Sequence, residues 1–245
     1  MNIKKLFENY DLISLGYNCF PKLFIKKLIN KETHFFDYVG SSTWSILKLL
    51  ENNFDNFLNK KFYYYPHEKF MPHIDTLYNI TNKEYYLRFI HDNNFLKNDE
   101  TWNDFENKYK RRIDRFNELL KSDKNLLFFY LEDTIFRLEM LYEEIKQYYP
   151  TNKENYEIEQ SKLEQSRMFE IVDIIKKKYN KHNFKIIYFS NLIEKTYYNN
   201  NIIFIKTDCH YSNIKWDEWA QKQCIKSIND NYDYITQFLQ NNKTN

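Results

Sequence analysis

The chain has 245 residues, 42% hydrophobic and 29% charged, and its 36 basic and 34 acidic side chains leave a formal charge of +2. That balance is globular and excludes long disorder. It also excludes a global field that would draw the protein to nucleic acid or anionic lipid, so any anion site must be local. The aromatic share of 19% comes with only 2 glycines, a compositional bias that carries no argument for base stacking.

Met1 to Tyr10 alternates charged and apolar residues and lacks the apolar core of a signal peptide. No uncharged stretch approaches the roughly 18 residues of a membrane span. The expectation is a cytoplasmic protein that does not enter a membrane. Its cysteines, Cys19, Cys209 and Cys224, are odd in number and widely spaced, which fits reduced thiols better than a disulfide framework or a zinc site.

Asp11 to Leu15 reads as a short strand stopped by Gly16, and Pro21 opens a helical segment with Leu23, Phe24, Ile25, Leu28 and Ile29. A second helix is expected over 42–58, where Trp44, Leu47, Leu50, Phe54 and Leu58 recur at three- and four-residue steps. Between the two lies the loop from Thr33 to Gly40. Residues 59–83 hold two prolines and two histidines without periodicity, an irregular excursion suited to cover a site. Tyr85 to Ile90 reads as a strand ending at His91 and Asp92. Thr101 then caps a helix with Trp102, Phe105, Tyr109, Ile113, Phe116 and Leu120 on its inner face. Leu126–Leu131, Lys185–Phe189 and Ile202–Lys206 have strand length, separated by helical segments at about 134–149 and 160–180. A last helix runs from near Trp216 to about Gln240.

Strands alternating with helices predict one α/β domain over 1–245, with a three-layer, mostly parallel sheet of about five strands and helices on both faces. Ligands of such sheets bind beyond the carboxyl ends of the strands. That rule selects Gly16 to Cys19, His91 and Asp92, Glu132 and Asp133, Ser190 and Asn191, and Asp208 to His210. Phosphate loops and dinucleotide fingerprints need several clustered glycines, and Gly16 and Gly40 are the only two. No nucleotide cofactor is expected, nor any other.

Gly16 supplies the positive φ that a strand-to-helix turn often needs, three residues before Cys19. A thiol at a helix N-terminus meets unpaired amides and the positive end of the helix dipole, which favour thiolate and stabilise an oxyanion. Cys19 is placed to be a nucleophile; equally, a free cysteine packs well in a core.

The run Ile13-Ser14-Leu15-Gly16-Tyr17-Asn18-Cys19, then His34-Phe35-Phe36-Asp37-Tyr38, His91-Asp92 and Tyr109-Lys110-Arg111-Arg112-Ile113-Asp114-Arg115-Phe116, resembles a domain-of-unknown-function family described as papain-like cysteine peptidases. The resemblance covers roughly the first 135 residues. Phe35 stands where that family carries proline, and Tyr38 where it carries tryptophan. The resemblance implies Cys19 as nucleophile, His91 as base, and Asp37 or Asp92 as the group that orients the imidazole. Gly16, Asn18, Arg112 and Arg115 are the corresponding candidates for holding substrate. The strand-Gly-x-x-nucleophile-helix block is also similar to that of SGNH-type esterases in a Rossmann-like sheet. Their base follows the last strand, which makes His210 the alternative base here.

The expected activity is a cysteine-dependent hydrolase or acyl transferase acting on an ester, amide or thioester of a small molecule, peptide or glycan. The competing reading is a non-catalytic binding or carbohydrate-processing protein. Its strand ends and Arg115 would hold a phosphorylated or acidic ligand. Arg111 and Arg115, four residues apart, can converge on an anion, or belong to a solvated face paired with Asp104, Glu106, Asp114 and Glu118. His67, His73 and Asp75 have spacings that a metal site tolerates, but no metal is expected. Sequence-specific nucleic-acid binding has no motif.

Overall fold

The computed structural model describes residues 2–16, 20–28, 33–65, 80–89, 91–92, 94–132, 153–208 and 216–241. Helix α1 (Ile3–Leu6) leads into strand β1 (Asp11–Ser14), helix α2 (Phe20–Leu28) and helix α3 (Thr43–Glu51). Strands β2 (Tyr63–Tyr64), β3 (Ile80–Asn82) and β4 (Leu87–Phe89) precede helix α4 (Asp99–Lys121) and strand β5 (Leu126–Leu131). Helix α5 (Lys153–Tyr179), strands β6 (Phe184–Ser190), β7 (Tyr197–Asn199) and β8 (Ile202–Lys206), and helices α6 (Trp216–Asp230) and α7 (Tyr232–Gln240) complete it.

β5 and β6 are buried along their whole length, so they read as continuous apolar runs and require cover on both faces. The main sheet has the order β1-β5-β6-β8-β7; its first four strands are parallel and β7 runs antiparallel at the β8 edge. Ser14 lies opposite Phe129, Phe128 opposite Ile186, and Tyr188 opposite Phe204. The two-residue period sends Phe128, Tyr130, Ile186, Tyr188 and Phe204 to one face, where Ile46, Leu50, Phe116, Met168 and Ile171 of α3, α4 and α5 cover them. Leu127, Phe129, Ile187, Phe189 and Ile203 go to the other, against Phe24, Ile25, Ile228, Ile235 and Phe238 of α2, α6 and α7. The result is a mixed α/β fold with helices on both sides of a mostly parallel sheet. No helix among the described residues is long and apolar enough to cross a membrane.

The strand expected over 85–90 does not join this sheet. β4 pairs with β3, and β3 with β2, in a separate antiparallel sheet of three strands. Local turn chemistry decides the matter: the Asn82 side chain accepts the amides of Glu84 and Tyr85 at 3.0 and 2.9 Å, and Tyr86 takes a left-handed φ of 50°. The hairpin so formed pairs β4 with its nearest neighbour. The fifth strand of the main sheet is β7 instead. The span expected to be irregular thus holds a 3₁₀ turn at Lys60–Phe62, the edge strand β2 and the central strand β3 of the small sheet. His67, His73 and Asp75 lie outside the described residues, as does the helix expected at 134–149.

Four helix boundaries also differ, α5 beginning at Lys153 rather than near 160. α3 stops at Glu51 rather than 58, because Asn53, Phe54 and Asn56 adopt positive φ. The turns they make still carry Phe54 and Phe57 into the core around Phe35, with ring centroids 4.7 and 4.8 Å apart. α4 is capped by Asn98, whose side chain accepts the Thr101 amide at 2.8 Å while Thr101 Oγ1 accepts the Asn98 amide at 3.2 Å. Thr101 is thus the third helical residue of a capping box. The last helix is broken at Asn231, which re-aims Ile235, Phe238 and Leu239 at the sheet.

Candidate active site

At the end of β1 the Gly16 amide donates to Ser14 Oγ at 3.0 Å, and Ser41 Oγ donates to the Leu15 carbonyl at 3.1 Å. Gly16 has a φ of +88°, and a Cβ on it would lie 2.1 Å from Ser41 Oγ and 3.2 Å from the Val39 carbonyl. The turn is therefore seated against the loop that precedes α3. Helix α2 begins at Phe20, so the strand, the glycine and the helix expected around Cys19 are all in place. Tyr17, Asn18 and Cys19 themselves lie outside the described residues, as does His210.

The loop from Thr33 to Gly40 is held from several sides. Phe35 and Phe36 are fully buried. Asp37 is completely buried; its Oδ2 lies 2.8 Å from Lys22 Nζ on α2 and accepts the His34 amide at 2.8 Å. Arg112 Nη1 donates to the Asp37 carbonyl at 3.4 Å, and Arg115 Nη1 to the Thr33 carbonyl at 2.7 Å. Burial pushes the Asp37 carboxyl above its ordinary pKa, against the opposing pull of Lys22 and Arg112. Gly40 exchanges both backbone hydrogen bonds with Arg88 of β4, at 2.8 and 3.0 Å. Tyr38, with a φ of 65°, sets its ring 5.4 Å from that of His91, edge to face.

His91 follows β4 and is solvent-exposed. Asp92 is engaged by α4: Lys108 Nζ forms an ion pair with its Oδ1, and the Tyr109 hydroxyl donates to Oδ2 at 3.0 Å. Gly16, Asp37, His91, Arg112 and Arg115 thus gather around one loop. The Asp37 carboxylate answers to a lysine and a backbone amide, and the Asp92 carboxylate to a lysine and a phenol. Arg112 and Arg115 bond to loop carbonyls. Arg115 also lines an open cleft of about 300 Å³ on α4 with Asn107, Lys110, Arg111, Asp114 and Glu118.

Lys22 joins these residues without belonging to any motif of the sequence. Its signal is a charge one turn before Ile25 on a helix whose apolar residues face the core, a position that demands a buried partner. A second polar group lies at the ends of β5 and β6. Ser161 Oγ donates to Glu132 Oε2 at 3.0 Å, and the chain of bonds continues through Gln165 to the Tyr197 hydroxyl. Glu132 Oε1 is buried with no hydrogen-bond partner among the described residues. Glu164 Oε2 beside it accepts the Thr43 amide, the Thr43 hydroxyl and the Tyr130 hydroxyl at 3.0, 2.7 and 3.1 Å. Burial, reinforced by the Glu164 charge and opposed by the Ser190 and Ser161 hydroxyls, raises the Glu132 pKa to about 7. Among the described residues no group of three or more His, Cys, Asp or Glu is arranged to hold a metal ion.

No curated protein and no solved structure matches this chain. A family model described as "Putative papain-like cysteine peptidase (DUF1796)" matches residues 10–146. That span is more than half of the chain, and it holds the Gly16 turn, the Asp37 loop, His91 and the α4 arginines. By that match the chain belongs to the family so described.

Proposed function

We propose that the protein is a cysteine-dependent hydrolase or acyl transferase in which Cys19 is the nucleophile and His91 its base. The observation that carries this reading is the course of the Thr33–Gly40 loop. It packs Ser41 and Val39 on Gly16, three residues before Cys19, and lays Tyr38 on His91. What supports His91 is that the Tyr38 contact brings it to the loop seated on Gly16; β8, the last strand before His210, lies three strand positions from β1, about 14 Å at the usual strand spacing. Exposure of His91 supports a role that needs contact with substrate and water.

In this mechanism the Cys19 thiol gives its proton to His91, and the thiolate attacks the carbonyl carbon of an ester, amide or thioester. Amides between Tyr17 and Phe20 hold the oxyanion at the N-terminus of α2. The tetrahedral intermediate collapses as the leaving group takes the proton from His91, leaving an S-acyl enzyme. Water, or an acceptor alcohol, amine or thiol, then attacks that thioester with His91 as base, which releases the acyl product and restores the thiol. Asp92, the residue after His91, steadies the backbone there through its bonds to Lys108 and Tyr109.

The test is the rate of alkylation of Cys19 by iodoacetamide, followed by peptide mass spectrometry across pH. The expected result is an apparent Cys19 pKa well below the free-thiol value of about 8.5, lost in His91→Ala. An ordinary pKa that His91→Ala does not move would refute the dyad. The competing binding reading predicts that Cys19→Ser keeps full biological activity while Arg115→Ala abolishes it.

A further inference from the structure

Lys22 and Asp37 form the most buried ion pair among the described residues, with side chains 7% and 0% exposed. Removing both charges from water is costly, and an apolar pair of similar size is often as stable. Stability alone is therefore a weak reason for the pair, and its location suggests another. Lys22 sits in the first turn of α2, three residues beyond Cys19. Asp37 immediately precedes Tyr38, whose ring meets His91.

Tyr38 has a left-handed backbone, an unfavourable conformation for a bulky residue that persists only where the surroundings over-determine it. The surroundings here do so. On its N-terminal side Asp37 is tied through its carboxylate to Lys22 and the His34 amide, and through its carbonyl to Arg112. On its C-terminal side the Val39 amide bonds the Phe36 carbonyl at 3.3 Å, and Gly40 is paired with Arg88. A continuous set of contacts thus runs from the first turn of α2 to the histidine.

We propose that Lys22 and Asp37 are a positioning pair that locks the first turn of α2 to the Tyr38 loop and so sets the approach of His91 to Cys19. This rests on the cysteine–histidine reading. It assigns Asp37 a role different from orienting the imidazole: its carboxylate holds the helix, and Tyr38 carries the effect to His91. Neither member of the pair exchanges a proton with substrate.

The experiment measures Cys19 alkylation by iodoacetamide against pH in the full chain, with unfolding in urea recorded for every variant. Lys22→Met combined with Asp37→Leu removes both charges without orphaning either. The expected result is a folded protein whose Cys19 reacts at least tenfold more slowly at pH 7, with its apparent pKa moved up toward that of a free thiol. Lys22→Arg, which keeps the pair, retains the wild-type profile within about threefold of its rate. A double variant with the wild-type rate and profile would overturn the proposal. If the double variant does not fold, Asp37→Asn decides: it preserves shape, and a shifted profile supports the positioning role whereas an unshifted one refutes it. Failure of the underlying dyad is seen separately, as a wild-type Cys19 with an ordinary pKa that His91→Ala leaves unchanged, and it would overturn this inference as well.

Discussion

Gly16 combines two demands that no other residue type meets: a φ of +88° and a space already filled by Ser41. A left-handed conformation costs an L-residue about 1–2 kcal/mol, and displacing Ser41 sacrifices its bond to Leu15, worth about 1 kcal/mol. Gly16→Ala is expected to lower stability by about 2–3 kcal/mol in urea unfolding. In a Ser41→Gly background the clash with Ser41 disappears, but the φ strain and the close approach to the Val39 carbonyl remain, so a residual cost of about 1–2 kcal/mol should persist. Neighbouring site residues differ in kind. His91 is exposed, so His91→Ala should change stability by less than about 0.5 kcal/mol while abolishing any activation of Cys19. Asp92→Ala should cost about 1–3 kcal/mol, because it strips the buried Tyr109 hydroxyl of its acceptor and Lys108 of its counter-ion.

Helix α4 serves the core and the site from different faces. Trp102, Phe105, Tyr109, Phe116 and Leu120, at three-, four- and seven-residue steps, are buried, and this stripe is what made the helix legible in the sequence. Arg112 and Arg115, three residues apart on a neighbouring face, reach the carbonyls of the Asp37 loop. The precision of that reach depends on where the helix starts. Asn98→Ala removes the capping box and should lower stability by about 1 kcal/mol, measured by denaturant unfolding. Arg115→Ala is expected to raise the hydrogen-exchange rate of amides in the Thr33–Gly40 loop, whereas Arg111→Ala, on the exposed face, should not. Sequence spacing revealed that these arginines share a helix with an apolar stripe, but a carbonyl partner over seventy residues away leaves no trace in local periodicity.

For the molecule as a whole, the main sheet carries its own titration through Glu132. Its folded pKa of about 7 exceeds the ordinary value of 4.5, so between those two values the folded state holds a proton that the unfolded state has released. Stability is greatest below about 4.5 in this respect and falls as pH rises toward 7, by an amount on the order of 3 kcal/mol. Glu132→Gln, which imitates the protonated acid, should flatten that slope in urea titrations between pH 4.5 and 7.5; an unchanged slope would show that Glu132 is not its source. The acid lies at the strand ends, as the carboxyl-end rule anticipated, but its neighbours Ser161 and Glu164 come from α5 and were unreadable as its partners. The sequence by itself determined the α/β class, the parallel strands and the glycine turn before Cys19, because apolar runs, helical spacing and a scarce glycine are local signals tied directly to burial and backbone geometry. It took the three-dimensional packing to show that β4 leaves the main sheet, that Asp37 answers to Lys22, and that the ring of Tyr38 stands against that of His91. Those outcomes depend on which distant groups satisfy a buried charge or a hairpin edge, and the choice among equally polar partners is settled by packing in three dimensions.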